Sequence, residues 1–320
     1  MRFVIVGGTR FIGRASAGAA LSAGHGVVLL HRGEHAAPPE LLEQGAVDVR
    51  TDRNDARALR RALAAHVPDV VIDTCAMTRA HAETLVAATE GVTGRVVVLS
   101  SQDVYAQFGL LNGLPCPAPE AVVTESSPLT VPYPFRTVGG HPGGPDYDKK
   151  DVEQVIRDAC SDSKLEGAVV LRLPAVYGPH DPQRRFGAIV DAIDCGTATL
   201  PHCGGARFRW THAHVLDAAH AILRAAEACP SGAHVYNVGE QDTPTMRERA
   251  EALARAMGRR VAWQAETGVL PDDLALLGEM PTDLVVSSTA IRHDLGVCEV
   301  TNEEERLAGT IAWLRESRAG

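Results

Sequence analysis

Apolar residues gather along the N-terminal half in short runs of strand length, at Phe3 to Val6, Gly26 to Leu30, Ala46 to Val49, Asp69 to Ile72 and Arg95 to Leu99. Between the early runs lie Ala-rich stretches of helical periodicity, Ala15 to Ala23, Ala56 to Ala65 and Ala80 to Thr89. Strands alternating with helices predict an α/β protein, a doubly wound parallel sheet with helices on both faces. The alanines suit crossover helices that pack closely on strands. From Ala106 to Pro145 the rhythm breaks into Pro, Gly and few periodic apolar positions, and a loop of that length is expected to border the active site. Beyond it the pattern predicts a helix over Asp148 to Ala159, a strand over Ala168 to Leu173, a helix near Phe186 to Asp194 and a strand around Val235 to Val238. Helices near Thr245 to Met257 and Glu303 to Ser317 supply a smaller cap. No internal repeat or flexible linker separates the two halves, so they are expected to share one cleft.

The first strand, Arg2 to Val6, runs directly into Gly7-Gly8-Thr9-Arg10-Phe11-Ile12-Gly13 and then into a helix. Backbone N–H groups of such a turn, together with the helix dipole, receive a pyrophosphate. This points to a Rossmann-like dinucleotide-binding domain over residues 1–172 and 210–240, interleaved with a C-terminal substrate lobe over 173–209 and 241–320. Gly7, Thr9, Arg10, Phe11, Ile12 and Gly13 are the candidate cofactor residues of the turn. At the end of the second strand stand His31 and Arg32, with no carboxylate to hold a ribose 2′-hydroxyl. With Arg10 on the same side, NADP is the expected cofactor and NAD the alternative. The competing reading is that both arginines are solvated surface residues.

Composition narrows the partners. In 320 residues with 45% hydrophobic content there is ample material for a core. A formal charge of −9 leaves no basic stripe for a phosphate backbone, so nucleic acid is not expected. Seven scattered cysteines with no C-x-x-C spacing read as reduced thiols. No charged-then-apolar leader and no run of membrane-spanning length is present, so a cytoplasmic protein with a small-molecule substrate is expected. His202, Cys203, His212 and His214 show no paired zinc-site spacing, and no metal is expected.

Taken together, these segments resemble the extended short-chain dehydrogenase/reductase family, the NAD(P)-dependent sugar-nucleotide epimerases and dehydratases, over nearly the whole chain. The family's G-x-x-G-x-x-G loop is matched at Gly7 and Gly13, with Arg10 in place of the middle glycine. The resemblance places Asp52 near the adenine with Arg53 beside it, and Ala76 where the backbone passes the cofactor. Ser100-Ser101-Gln102-Asp103-Val104-Tyr105 is similar to the family's S-S-x-x-V-Y, which implies that Ser101 binds the reacting oxygen. Lys149-Lys150-Asp151-Val152-Glu153 is similar to the K-x-x-V-E that follows the family's catalytic tyrosine, which makes Lys149 the ribose-binding lysine. Four residues earlier stands Pro145, which has no proton to give. Tyr147 lies only two residues before Lys149, on the wrong face if both are helical. With Asp146 as a helix cap, however, its ring turns inward from the first turn. Packing on the lid is the equal alternative for Tyr147. Asp103 is the second acid/base candidate, and a turn-holding aspartate is its plain alternative.

Arg172-Leu173-Pro174-Ala175-Val176-Tyr177-Gly178-Pro179 resembles the family's R-x-x-x-V-Y-G-P, which brings Pro174 past the nicotinamide. Trp210 to Ala219 is similar to F-x-H-V-x-D-x-A, and Val235 to Gly239 to Y-N-I-G. An arginine binds the diphosphate just before H-V-x-D in sugar-nucleotide enzymes; Trp210 holds that register here, flanked by Arg207 and Arg209. Gln102, Tyr105, Arg184 and Arg209 are the candidate substrate contacts. The expected activity is hydride transfer to or from a secondary alcohol or ketone of a sugar, sugar-nucleotide or nucleoside-like substrate, as an epimerase or dehydratase. An NADPH-dependent net ketoreductase is the enzymatic alternative. A non-catalytic dinucleotide-binding regulator or RNA-associated protein is the reading from another class. The family resemblance implies a homodimer.

Overall fold

The structure is a computed structural model and describes residues 1–131, 144–196 and 199–318. Its N-terminal half alternates β1 (Arg2–Val6), α1 (Phe11–Ser22), β2 (Gly26–His31), α2 (Pro39–Glu43), β3 (Val47–Arg50), α3 (Ala56–His66), β4 (Val70–Asp73), α4 (Arg79–Thr89) and β5 (Arg95–Ser101). A 3-10 turn (Gln102–Val104) and α5 (Ala106–Leu111) follow, then α6 (Lys149–Ser161), β6 (Gly167–Leu173) and β7 (Ala175–Tyr177). The remainder comprises α7 (Gly187–Asp194), β8 (Thr199–His202), β9 (His212–His214), α8 (Val215–Ala228), β10 (Gly232–Asn237), α9 (Met246–Ala256), β11 (Ala262–Ala265), a 3-10 turn (Asp272–Leu277), α10 (Thr289–Leu295) and α11 (Glu303–Glu316).

Seven parallel strands form the central sheet in the order β10-β6-β5-β4-β1-β2-β3. The pleat sends alternate residues to opposite faces, so one strand serves two cores. On one face Phe3, Ile5, Val97 and Leu171 meet α1, α8 and α10. On the other, Val4, Val6, Val98 and Val170 meet Leu59 of α3, Leu85 of α4 and Ile156 of α6. Alanines 17 and 20 of α1 lie against alanines 218, 221 and 225 of α8, which lets the two helices pack closely.

A third core joins Ile189 and Ile193 of α7, Leu200 of β8, Leu253 of α9, and Ile311 and Leu314 of α11. The stretch 241–320 is shared between cores, because Ile291 and Leu295 of α10 pack into the central-sheet core beside α8. The periodicity did not reveal α8. Nine of its fourteen residues are buried, which confines its polar stripe to His220, Arg224 and Glu227. Asp148, not Asp146, caps α6: its carboxylate accepts from the N–H groups of Lys150 and Asp151.

β9 carries two buried histidines. His214 is 2% exposed with neither ring nitrogen hydrogen-bonded, and burial pulls its pKa down to about 4. His212 is lowered further, by burial and the nearby Arg249. Below its ordinary pKa of 6.5 an unfolded histidine takes up a proton that the folded one refuses, so stability is full above that pH and falls as the pH drops toward 4. For His214 the loss is about 3 kcal/mol across that window. A melting temperature that declines from about pH 7 to about pH 5, and declines less in His214→Phe, is the expected result; equal slopes would contradict it.

Candidate active site

The turn residues, Arg32, Ser101 and Asp103 lie at the C-terminal ends of β1, β2 and β5, where a parallel sheet opens its crevice, and Lys149 reaches the ends of β4 and β5. Gly7 has φ +86°, which turns the chain from β1 into the helix. Gly13 is required for a different reason: a Cβ there would stand 2.2 Å from the Gly7 carbonyl oxygen. α1 therefore begins against the turn itself. α3, α4, α6, α9 and α11 all have side-chain caps, whereas α1 has none and no acidic residue in its first turn. Its positive end faces a cavity of about 560 Å³ lined by Gly7, Thr9, Arg10, Phe11, Ile12 and Gly13. Uncapped N–H donors over a cavity of that size fit a dinucleotide pyrophosphate.

Arg32 also lines the cavity and ion-pairs Glu34 at 2.9 Å, both largely exposed. Arg10 meets the ring of His35 at 3.0 Å, and His35 is a lining residue that the motif did not include. His31 is buried and bonded to Asp48, while its other ring nitrogen accepts from the Gly33 N–H. Asp52 is exposed, accepts from the Asn54 N–H, and lies outside the cavity lining, as do Ala76 and Pro174.

Arg53 is buried in the cavity wall, where it donates to Asp73 at 2.7 Å and to the His81 carbonyl at 2.9 Å. Asp73 also accepts from the Cys75 N–H, so this pair fastens the segment after β4. Burial pushes the Cys75 thiol up to about 11, which leaves it a protonated wall residue.

Beyond β5 the candidate catalytic groups lie close together. Tyr147 precedes the first turn of α6, so helical period does not govern its direction; its ring points inward and is 3% exposed. Its hydroxyl donates to Asp103 Oδ2 at 2.9 Å. The Asp103 N–H donates to Ser101 Oγ, which leaves the Ser101 hydroxyl proton for another acceptor. Lys149 is buried at the start of α6 and donates to the carbonyls of Ala76 at 2.6 Å and Leu99 at 2.9 Å, bridging the ends of β4 and β5. Burial lowers its pKa, and the neighbouring Asp103, Asp73 and Cys75 oppose that shift. The ammonium lies 5.9 Å from the centre of the Tyr147 ring.

The sequence model of the NAD-dependent epimerase/dehydratase family matches residues 3–239. The chain belongs to this family. It is 31% identical over 271 residues to the 2′-dehydrokanamycin reductase of Streptomyces kanamyceticus, covering 81% of this chain and 67% of that one. A 4-hydroxy-2-methyl-3-oxo-4-farnesyl-3,4-dihydroquinoline-1-oxide ketoreductase of Stigmatella aurantiaca is 26% identical over 85% of this chain and 76% of its own. Among solved structures, UDP-glucose 4-epimerase from Bifidobacterium longum in complex with NAD+ and UDP superimposes with a TM-score of 0.73 over 100% of both chains, at 16% identity. As a member of the epimerase/dehydratase family, the chain is an NAD(P)-dependent oxidoreductase of the extended short-chain dehydrogenase/reductase type that acts by hydride transfer.

The four candidate substrate contacts are placed differently by this family fold. Tyr105 is fully buried, with its hydroxyl donating to Asn237 and accepting from Arg172, so it braces the strands and does not face a ligand. Arg184 is held by the Leu314 carbonyl and Ser317 of the C-terminal helix end. Arg209 donates to the Thr243 carbonyl. Gln102 is buried, donates to the Thr211 carbonyl, and leaves its amide oxygen without a partner. The lid expected over Ala106 to Pro145 lies outside the described residues between 132 and 143. Its described part places Val123 beside Tyr147. No helix of the described residues is long and apolar enough to cross a membrane.

Proposed function

We propose that the protein is a net ketoreductase that uses NADPH to turn a ketone into a secondary alcohol, with Tyr147 as proton donor. The observation that carries this reading is the buried Tyr147 hydroxyl on Asp103, beside Lys149 at the open end of β5. It supplies the acid that Pro145 lacks.

The dinucleotide, when bound, supplies the hydride to the carbonyl carbon. Ser101 would donate a hydrogen bond to the carbonyl oxygen and hold it in place, keeping its own proton. Tyr147 leaves its contact with Asp103 and protonates that oxygen as charge develops on it. The Lys149 ammonium, 5.9 Å from the centre of the Tyr147 ring, would favour the phenolate so formed, against the repulsion of the Asp103 carboxylate. Asp103 then receives the hydroxyl again once solvent has returned the proton. Lys149 and the turn residues Gly7 to Gly13 would hold the ribose and pyrophosphate.

A dehydratase needs a second acid/base beside the tyrosine. Gln102, which stands beside Asp103, has no proton to release. Both curated relatives carry reductase names, which supports net reduction over epimerisation. For the cofactor, Arg10, Arg32 and His35 line the cavity together with Glu34, and such a cluster of cations and imidazole supports a 2′-phosphate. We also propose a homodimer with the smaller lobe binding substrate.

Turnover of ring ketones with NADPH against NADH tests the reading. NADPH is expected to be preferred, and the Arg10→Ala/Arg32→Ala variant to lose about tenfold or more of that preference while NADH turnover holds. Tightly retained NAD with interconversion of hydroxyl epimers, and no net cofactor consumption, would establish an epimerase instead.

A further inference from the structure

One wall of the cofactor cavity is the segment that leaves β2, and that segment is fastened from outside the cavity. His31, the last residue of β2, is buried and lines the cavity. Its ring Nδ1 accepts the Gly33 N–H at 3.1 Å, so the ring proton sits on Nε2, which meets a carboxylate oxygen of Asp48 on the edge strand β3. The His31 carbonyl accepts the Thr51 N–H at 2.8 Å. Ring and backbone are both tied to β3 and its end.

The turn that follows has no such support of its own. Arg32, Gly33, Glu34 and His35 are all exposed, so packing does not hold them. Among the described residues, the Gly33 N–H is the one backbone group of this turn in a hydrogen bond, and its acceptor is the His31 ring. Gly33 itself has φ +90°, which brings Glu34 back beside Arg32 at 2.9 Å. His35 reaches Arg10 at 3.0 Å. The cations of the cavity rim therefore hang on a turn anchored by one imidazole, and Asp48 orients that imidazole.

This arrangement favours one dinucleotide over the other. With both ring nitrogens engaged, His31 offers no acceptor to a ribose 2′-hydroxyl. Glu34 is the one carboxylate among the described lining residues, and it already holds Arg32. A 2′-phosphate, in contrast, gains from two guanidiniums, provided that they are in place. A turn that had to be ordered on binding would subtract that ordering from the affinity.

Resting on the NADPH reading above, we infer that Asp48 and His31 are positioning residues that set the Arg32 to His35 turn for the 2′-phosphate, with Asp48 acting from outside the cavity lining. The sign of the effect is distinctive. By charge alone, removing the Asp48 carboxylate would strengthen phosphate binding, whereas loss of its hold on His31 weakens it.

Calorimetric titration of the full-length protein with adenosine 2′,5′-bisphosphate and with AMP isolates the 2′-phosphate, the one group by which the two probes differ. The wild-type protein is expected to bind the bisphosphate about tenfold or more tightly than AMP. Asp48 is exposed, so Asp48→Ala opens no hole in the core; it should narrow that ratio about three- to tenfold while AMP affinity holds. Asp48→Asn still accepts the Nε2–H and should keep the ratio within about twofold. His31→Phe, which fills the space but accepts nothing from Gly33, should behave like Asp48→Ala. A ratio unchanged or raised in Asp48→Ala, equal weakening of both nucleotides, or Asp48→Asn as impaired as Asp48→Ala would overturn the inference and leave the NADPH reading standing. A wild-type protein that binds the two nucleotides equally defeats the NADPH reading and the inference together.

Discussion

Tyr147→Phe is expected to lower kcat about 10²- to 10⁴-fold with little change in NADPH binding, because it removes one proton donor and no packing surface. The phenyl ring keeps its place in the apolar cluster with Val104, Val123 and Leu284. What disappears is the hydroxyl on Asp103. Measured kcat and KM for the reduced ketone, alongside the melting temperature, separate the two consequences. A variant that folds normally and turns over at the wild-type rate would show that the proton comes from elsewhere, with Asp103 the first group to examine. Asp103→Asn gives a useful contrast, since its amide still holds the phenol by accepting its hydrogen bond but brings no charge. It should reduce kcat less than loss of the phenol does, and it should alter the pH profile.

The second large effect concerns stability. Arg172 of β6 donates from Nε and Nη2 to the two oxygens of Glu153 on α6, at 2.9 and 2.8 Å, and from Nη1 to the Tyr105 hydroxyl at 2.8 Å. Ser100 of β5 donates to the same carboxylate at 2.6 Å. Glu153 is fully buried and one helical turn beyond Lys149, so this bidentate pair sets where α6 sits on the sheet. Its carboxyl is held below the ordinary range: burial works to raise it, and the bonds from Arg172 and Ser100 win. Arg172→Met should cost about 3 kcal/mol, because it leaves the buried Glu153 carboxylate with only the Ser100 hydroxyl and the more exposed Arg157, at 3.2 Å. Removing both charges in Arg172→Met/Glu153→Leu should recover most of that loss, since a well-packed apolar pair has no desolvation to offset. Urea unfolding of the two variants decides the point. A double variant as unstable as the single one would mean that packing and hydrogen bonds to Ser100 and Tyr105, not the charge, hold α6.

Much of the architecture could be read from residue order because it depends on local pattern. Strands buried on two faces are short and apolar, and the five N-terminal runs matched β1 to β5 within one or two residues at each end. The glycine turn was equally legible, since φ +86° at Gly7 and the missing Cβ at Gly13 are demands that glycine alone meets. Other elements carried no local signal. β7 and β9, three residues each and paired with one another, are too short for an alternating pattern, and α8 shows only a narrow polar stripe at His220, Arg224 and Glu227.

The site itself divides along the same line. Ser101, Asp103, Tyr147 and Lys149 could be named from order alone, but spacing set Tyr147 on the wrong face of a helix. The Asp148 cap starts α6 only after Tyr147, and that frees the ring to turn toward Asp103. Arg53 and Asp73, twenty residues apart, became a buried pair because β3 and β4 end on the same side of the crevice. The candidate substrate residue Tyr105 became a brace because Arg172 and Asn237 reach it from neighbouring strands.

By itself, then, the sequence determined the strand and helix order, the turn that receives a dinucleotide, and the types of reacting groups, all of which follow from contacts within a few residues. Only the tertiary structure decided that the Tyr147 hydroxyl meets Asp103, which of the described cations are already committed, and that the Tyr147 ring packs among apolar residues. Those properties depend on side chains brought together from distant segments, and burial rather than residue identity sets their charge and direction.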